Sequence, residues 1–472
     1  MLSPRIQFSL CGVGSCAVYG VIAWLSRAFI YGAGHRERPI LEFLLLYAAV
    51  FLLYFWGIRA LTRISESRSQ LLLACLFAVL FRGIFFFSNP IQESDFYRYL
   101  WDGYVVAHGM NPYGVAPAAI FNREAGTEAY VRLLEANPHF TTILARVNHP
   151  TVPTIYPPVA QGVFALASLL APGSLFGLRL LFFACDLGVG AVLLGLLRHF
   201  GLNAAWIVVY AWSPLVVKEI INSAHYDVVP TLCSLLAMTL MLRGHWLLGQ
   251  GSLALAILGK LYPVVLVPFF VWRTWTRHGW ASALCGLSVM LLVLGAGYWP
   301  FLGAGSGLWR GTATFAEEWQ TNSFLFPLLQ LFAPNRWAAN VSVVVFLCGL
   351  LLVLMRRHDL HDFTDDRSFL WSNFAMLGAV LLLSPVADPW YFIWLAPLLC
   401  FFPRRAWLLL SGLLSLYYLS FYFMYRRETQ VFHWVLWVEY LPFYGVLVYD
   451  WWKARSTHAS ASSTESSVRF GL

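Results

Sequence analysis

Long apolar runs recur along the chain, and a single long polar stretch interrupts them. Runs at about 6–31, 40–58 and 70–88 come first. Residues 89–161 are then polar, charged and rich in proline, and apolar runs resume at about 174–197, 204–221, 228–242, 246–272, 280–301, 337–355, 369–385, 390–402, 406–424 and 433–452. A run of about twenty apolar residues crosses about 30 Å of hydrocarbon as a helix, and helices satisfy their own backbone there. The pattern therefore predicts an all-α, polytopic transmembrane helical bundle of about 12–14 spans, with a large external loop after the third helix. Two segments depart from simple spans. Pro157 to Ala171 is too short to cross and reads as a re-entrant or interfacial helix. The 246–272 run is broken by Gly259, Lys260, Leu261, Tyr262 and Pro263 and reads as two half-helices, because Pro263 lacks an N–H and disfavours helix at Tyr262.

Composition fits a lipid-embedded chain: 59% of the 472 residues are hydrophobic and 11% charged, against roughly 25% charged in soluble domains. The net charge of +8 is spread over short loops, which serves membrane orientation and argues against a nucleic-acid partner. Arg59, Arg63, Arg68, Arg198, Arg243, Arg404 and Arg405 fall in loops that place the N-terminus in the cytoplasm and the 89–161 loop on the opposite side. Residues 1–455 then form one transmembrane bundle, with 89–161 as its external catalytic loop and 456–472 as a disordered, low-complexity cytoplasmic tail. All eight cysteines lie in apolar runs, without a loop partner for a disulfide.

Candidate chemistry starts at Glu93 and Asp95, which follow Pro90 directly after the third apolar run. In an extended segment alternate side chains share a face. The two carboxylates then either share a metal or act as a base and its modulator. Alternatively, Ser94 or Asp95 caps the helix that runs on through Tyr99 and Trp101. Arg98 and Asp102, spaced i and i+4, read as a surface ion pair or a substrate clamp. The proline-rich segment 148–161 presents His149 and Tyr156 from an extended backbone. Lys218 and Glu219 precede His225 and Asp227. Lys260, at a helix break in lipid, is a candidate anion site through its charge and the adjoining helix end, or else it pairs with Asp186 or Glu219. Asp388 stands as a turn acid before Pro389.

Taken in order, the phrases ESDFYRYLWDG, HGMNPYG, NHP, TIYPP, SPLVVKEIINSAHYD, LGKLYPVVLVP, EEWQTNSF and SPVADPWYFIWLAPLL resemble bacterial GT-C glycosyltransferases, nearest to glycosyltransferase family 87 and the polyprenyl-phosphate-mannose-dependent mannosyltransferases. The resemblance covers about residues 85 to 400. It implies an integral-membrane enzyme, in the bacterial inner membrane, that transfers a hexose, mannose by preference. The donor is a polyprenyl-phosphate sugar, and the acceptor is a hydroxyl of a glycan or glycolipid on the non-cytoplasmic face. The lipid bilayer is its medium. By the same resemblance Asp95 is the general base with Glu93 as its catalytic companion, Lys260 meets the carrier phosphate, and His225 and Asp227 line the same cavity. Arg98, His149, Tyr156, Lys218 and Asp388 complete the expected substrate-binding set. No P-loop or dinucleotide fingerprint is present, in keeping with a lipid-borne donor. Whether a divalent cation is required stays open from the residues. Two other classes compete: a transporter or flippase of lipid-linked saccharides, suggested by the broken helix and by Asp186 and Arg179 within apolar runs, and an envelope polymer ligase or polymerase.

Overall fold

The computed structural model describes residues 2–64, 67–356 and 365–468. The last four residues of the expected tail therefore lie outside the described residues. Among those described, the chain is helical throughout, and the one β-bridge, Thr321 to Val386, is isolated. Eight helices among the described residues are long and apolar enough to cross a membrane, or nine if the bent pair Ala204–Ala211 and Pro214–Asn222 is one span. This is an all-α polytopic bundle and an integral membrane protein. The count is below the expected 12–14 because several apolar runs fold as shorter or broken elements. Val228–Leu242 has 15 helical residues and Trp246–Gly259 has 14. The helix expected at about 390–402 is replaced by two 3₁₀ segments, Pro389–Trp394 and Ala396–Cys400, each opened by a proline in its first turn.

The first three helices, α1 (Pro4–Leu25), α2 (Ile40–Leu61) and α3 (Arg68–Phe85), are capped or closed near the ends that the apolar runs predict. Ser3 and Ser67 accept the N-terminal amides of α1 and α3 through their side chains. These helices leave many apolar side chains outward, including Leu45, Trp56 and Leu72. That arrangement is stable only against lipid.

The polar segment begins with α4 (Phe96–Ala107), which packs on α5 (Pro158–Leu170). At 13 residues α5 is too short to cross. The two helices meet at backbone distance at Gly103, where an added Cβ would lie 2.2 Å from the Phe164 carbonyl oxygen. The long helix α6 (Leu175–His199) follows. Its Asp186 carboxylate is buried against the Arg82 guanidinium of α3 and accepts the Tyr210 hydroxyl at 2.7 Å. Arg179, also on α6, donates to the carbonyls of Phe86 and Asn222 at 2.7 and 2.6 Å. Asp186 thus has a counter-charge within the bundle, and the Arg179 guanidinium is met by backbone carbonyls. The helix beginning at Phe432 continues through Val468, past Ser456 where low complexity predicted disorder. All eight cysteines are free.

Candidate functional site

Two irregular breaks shape the centre of the bundle. After Pro214 the helix widens into a π-turn at Lys218–Asn222, and buried Ala224 follows in the left-handed region with φ of 57°. Both features cost energy and concentrate at functional sites. They aim Glu219, His225 and Asp227 inward. Asn222 closes the π-turn and anchors the polar segment: its Oδ1 accepts the Ile91 amide at 2.9 Å, and its Nδ2 donates to the Asn89 carbonyl at 2.7 Å. The second break ends the Trp246–Gly259 helix, after which Lys260 is fully extended.

Asp95 sits at the N-terminal edge of α4 yet makes no side-chain capping bond. Its Oδ1 instead accepts Asn148 Nδ2 at 3.1 Å, and the same amide nitrogen donates to Ser94 Oγ at 2.9 Å. Arg98, one turn on, donates from Nη2 to the carbonyls of Asn148, His149 and Val152 at 3.3, 3.1 and 3.0 Å. Three carbonyl dipoles around one guanidinium hold the proline-rich segment against α4. His149 takes a positive φ of 51° and packs its ring on Trp319.

These groups face a cavity of about 550 Å³, a size that accepts a small ligand. Glu93, Asp95, Arg98, His149, Tyr156, Lys260 and Asp388 line it. Lys260 donates to Asp227 Oδ1 at 2.6 Å, and Trp394 Nε1 donates to the same oxygen at 2.6 Å. The ammonium also lies 4.1 Å from the centre of the Tyr391 ring and 5.3 Å from that of Trp394. Burial, reinforced by the charges of Glu93 and Asp95, pushes the Asp388 carboxyl up to about 7. Burial likewise lowers His149.

The other three expected residues lie behind the cavity wall. His225 and Asp227 are fully buried. His225 stacks on Trp390 with ring centres 4.0 Å apart, so it touches the cavity through that indole. Lys218 bonds to the Tyr418 hydroxyl and lies 3.3 Å from Glu219 Oε1, away from the cavity. The expected surface pairing of Arg98 with Asp102 is absent among the described ion pairs. Both residues are buried, and Asp102 accepts Gln161 Nε2 at 3.3 Å while burial raises its carboxyl. Lys260 pairs with neither Asp186 nor Glu219, because the π-turn brings Asp227 to it first. Asn148, Tyr391 and Trp394 were not singled out in the sequence. All three stand inside or next to distinctive polar-aromatic phrases, but their partners are 53 to 167 residues distant.

Fold and cavity together describe a polytopic helical membrane protein with a carboxylate and a lysine on one polar chamber beneath a large loop, the class implied by the resemblance to GT-C glycosyltransferases. Residues 6–277, more than half of the chain, match the model of the family described as alpha-(1->6)-mannopyranosyltransferase, N-terminal domain, and the chain belongs to that family. It is similar to alpha-(1->6)-mannopyranosyltransferase A of Mycobacterium tuberculosis, 25% identical over 358 residues that make up 69% of this chain and 65% of that relative. The matched region thus spans less than two thirds of the relative's length. No solved structure matches the chain.

Proposed function

We propose that the protein is a membrane mannosyltransferase that takes mannose from a polyprenyl-phosphate carrier and passes it to a glycan or glycolipid hydroxyl on the non-cytoplasmic side. The observation that carries this reading is that Asp95 and Lys260, from segments far apart in sequence, line one cavity. The family and the relative, both named as alpha-(1->6)-mannopyranosyltransferases, support transfer of mannose.

In this reading Asp95 accepts the proton of the acceptor hydroxyl as that oxygen bonds to the anomeric carbon. The bond from that carbon to the carrier phosphate breaks, and its electron pair leaves on the phosphate oxygen. Phosphate is already a stabilised leaving group, so the step needs a base and a cation more than a covalent intermediate. Asn148 holds the Asp95 carboxylate by one oxygen. Lys260 supplies the cation: Asp227 and the surrounding rings hold its ammonium at the wall, where an incoming phosphate meets it. Arg98 positions the loop, its Nη2 being spent on carbonyls. Asp388, whose carboxyl burial pushes up to about 7, holds its proton below that pH and lines the cavity as a donor.

Asp95→Asn should abolish transfer from polyprenyl-phosphate mannose in isolated membranes, by about 100-fold or more, with expression unchanged. Near-normal transfer would remove Asp95 from the role. Transport of a lipid-linked saccharide gains some support from the 59° bend between Ala204–Ala211 and Pro214–Asn222. Uptake into proteoliposomes without a new glycosidic product would establish that alternative.

A further inference from the structure

Glu93 at the cavity wall, and Glu219 and His225 behind it, each offer one ligand atom, and the three atoms lie within 4.8 Å of one another. His225 Nε2 is 3.7 Å from Glu93 Oε2 and 3.6 Å from Glu219 Oε2. These separations are too long for hydrogen bonds. They match the spacing of two ligands on one cation, since bonds of about 2.0–2.2 Å set ligand atoms about 3.3–3.6 Å apart at a tetrahedral angle and up to about 3.8 Å apart when the angle opens to about 120°. His225 is 0% exposed, and neither of its ring nitrogens has a hydrogen-bond partner; Glu93 Oε1 is also buried without one. A buried imidazole left unsatisfied between two carboxylates is costly unless something joins them.

We propose that Glu93, Glu219 and His225 form a binding site for a single divalent transition-metal ion of the zinc or manganese class. Two carboxylate oxygens and one imidazole nitrogen are the ligand types that these ions accept. The surrounding groups hold the ligands in place. Glu219 Oε2 accepts Ser223 Oγ at 3.0 Å, and Glu219 Oε1 accepts the Tyr418 hydroxyl at 2.8 Å. The His225 amide donates to the Glu219 carbonyl at 2.9 Å, and Trp390 fixes the imidazole plane from one face. Such outer partners orient metal ligands. The ammonium of Lys218 offsets one of the two carboxylates, so with His225 neutral one negative charge remains for the ion. The ion fastens the start of the polar segment, through Glu93, to the π-turn and to the strained loop at Ala224. Glu93 thus has a structural task distinct from that of Asp95.

The site stands apart from the transferase reading, and its test does not use activity. Full-length protein purified in detergent is stripped with EDTA, dialysed separately against Zn²⁺ and Mn²⁺, desalted and analysed by elemental mass spectrometry, with thermal unfolding followed in parallel. Wild type should retain about one ion per chain and unfold at a higher temperature with the metal than without it. His225→Ala and the milder Glu93→Gln should each lose most of that ion and the metal-dependent shift; Glu93→Gln keeps the volume of the side chain and guards against a folding failure in the alanine variant. Wild type that retains neither metal, or variants that retain as much as wild type, would overturn the proposal.

Discussion

Two lysines sit at breaks in apolar helical segments, and each is joined to an acid, yet their surroundings set them to different work. Lys218 opens the π-turn and is enclosed by Glu219 and Tyr418, with 2% of its side chain exposed. Lys260 follows a helix end, pairs with Asp227, and keeps 17% of its side chain exposed toward the cavity. A buried pair with no open side stabilises or specifies packing, and losing one partner strands the other. A pair with one open side can exchange its partner for an arriving anion. The difference shows that a lysine in an apolar segment has no function by default: the opening beside it decides.

The sharpest break of this comparison is Lys260→Met. It should lower transfer per folded molecule in membranes by about 100- to 1000-fold, beyond the loss of stability that follows from leaving the buried Asp227 with Trp394 as its remaining partner. Loss of expression with no selective loss of turnover would make Lys260 a packing residue like Lys218. The converse substitution, Lys218→Met, should act on stability, at a cost of about 3–5 kcal/mol because Glu219 is left buried and uncompensated. Thermal unfolding in detergent reads that cost, and any surviving folded protein should turn over at close to the wild-type rate per molecule. Arg98→Lys is expected to have a smaller effect, because a lysine cannot meet three carbonyls in the guanidinium geometry. It should raise the apparent KM for the donor severalfold through a looser 148–152 segment, with kcat less affected. The smallest effect concerns Asp388. Its carboxyl is raised from 3.8 to about 7 in the fold, so between these values the native chain holds a proton that the unfolded chain has released. The corresponding stability is fully present at low pH and is lost as pH rises through 7. Asp388→Asn should flatten the dependence of the unfolding temperature on pH between about 4 and 7. An unchanged slope would assign that dependence to other groups.

The helices in lipid were the most legible part of the molecule. For α1, α2 and α3 a sustained apolar run bounded by polar loops leaves few alternatives, and the break at Lys260 was marked by Pro263. The site was legible in its members more than in its geometry. Glu93 and Asp95 looked like a pair because one residue separates them, but Gln92 takes a positive φ of 62° and the chain turns there. Asp95 then meets Asn148, while Glu93 turns to Glu219 and His225. The sequence likewise placed His225 and Asp227 on the cavity, whereas the π-turn and Ala224 rotate both behind it. Local spacing carries no record of a widened helical turn, nor of partners more than 100 residues away. The 3₁₀ course of 389–400 was hidden in the same way, because an apolar run reads alike whether it coils tightly or as an α-helix.

The close crossing at Gly103 bears on how the chain can vary. Because α4 and α5 touch there at backbone distance, the segment between them is a closed loop whose two ends are fixed before its middle is specified. Residues 121–126 all lie exposed at the outside of that loop. Length and sequence can drift there as they do at the tip of a surface hairpin, reshaping whatever approaches from outside, while Asp95 and Asn148 remain tied to the inner side near the crossing.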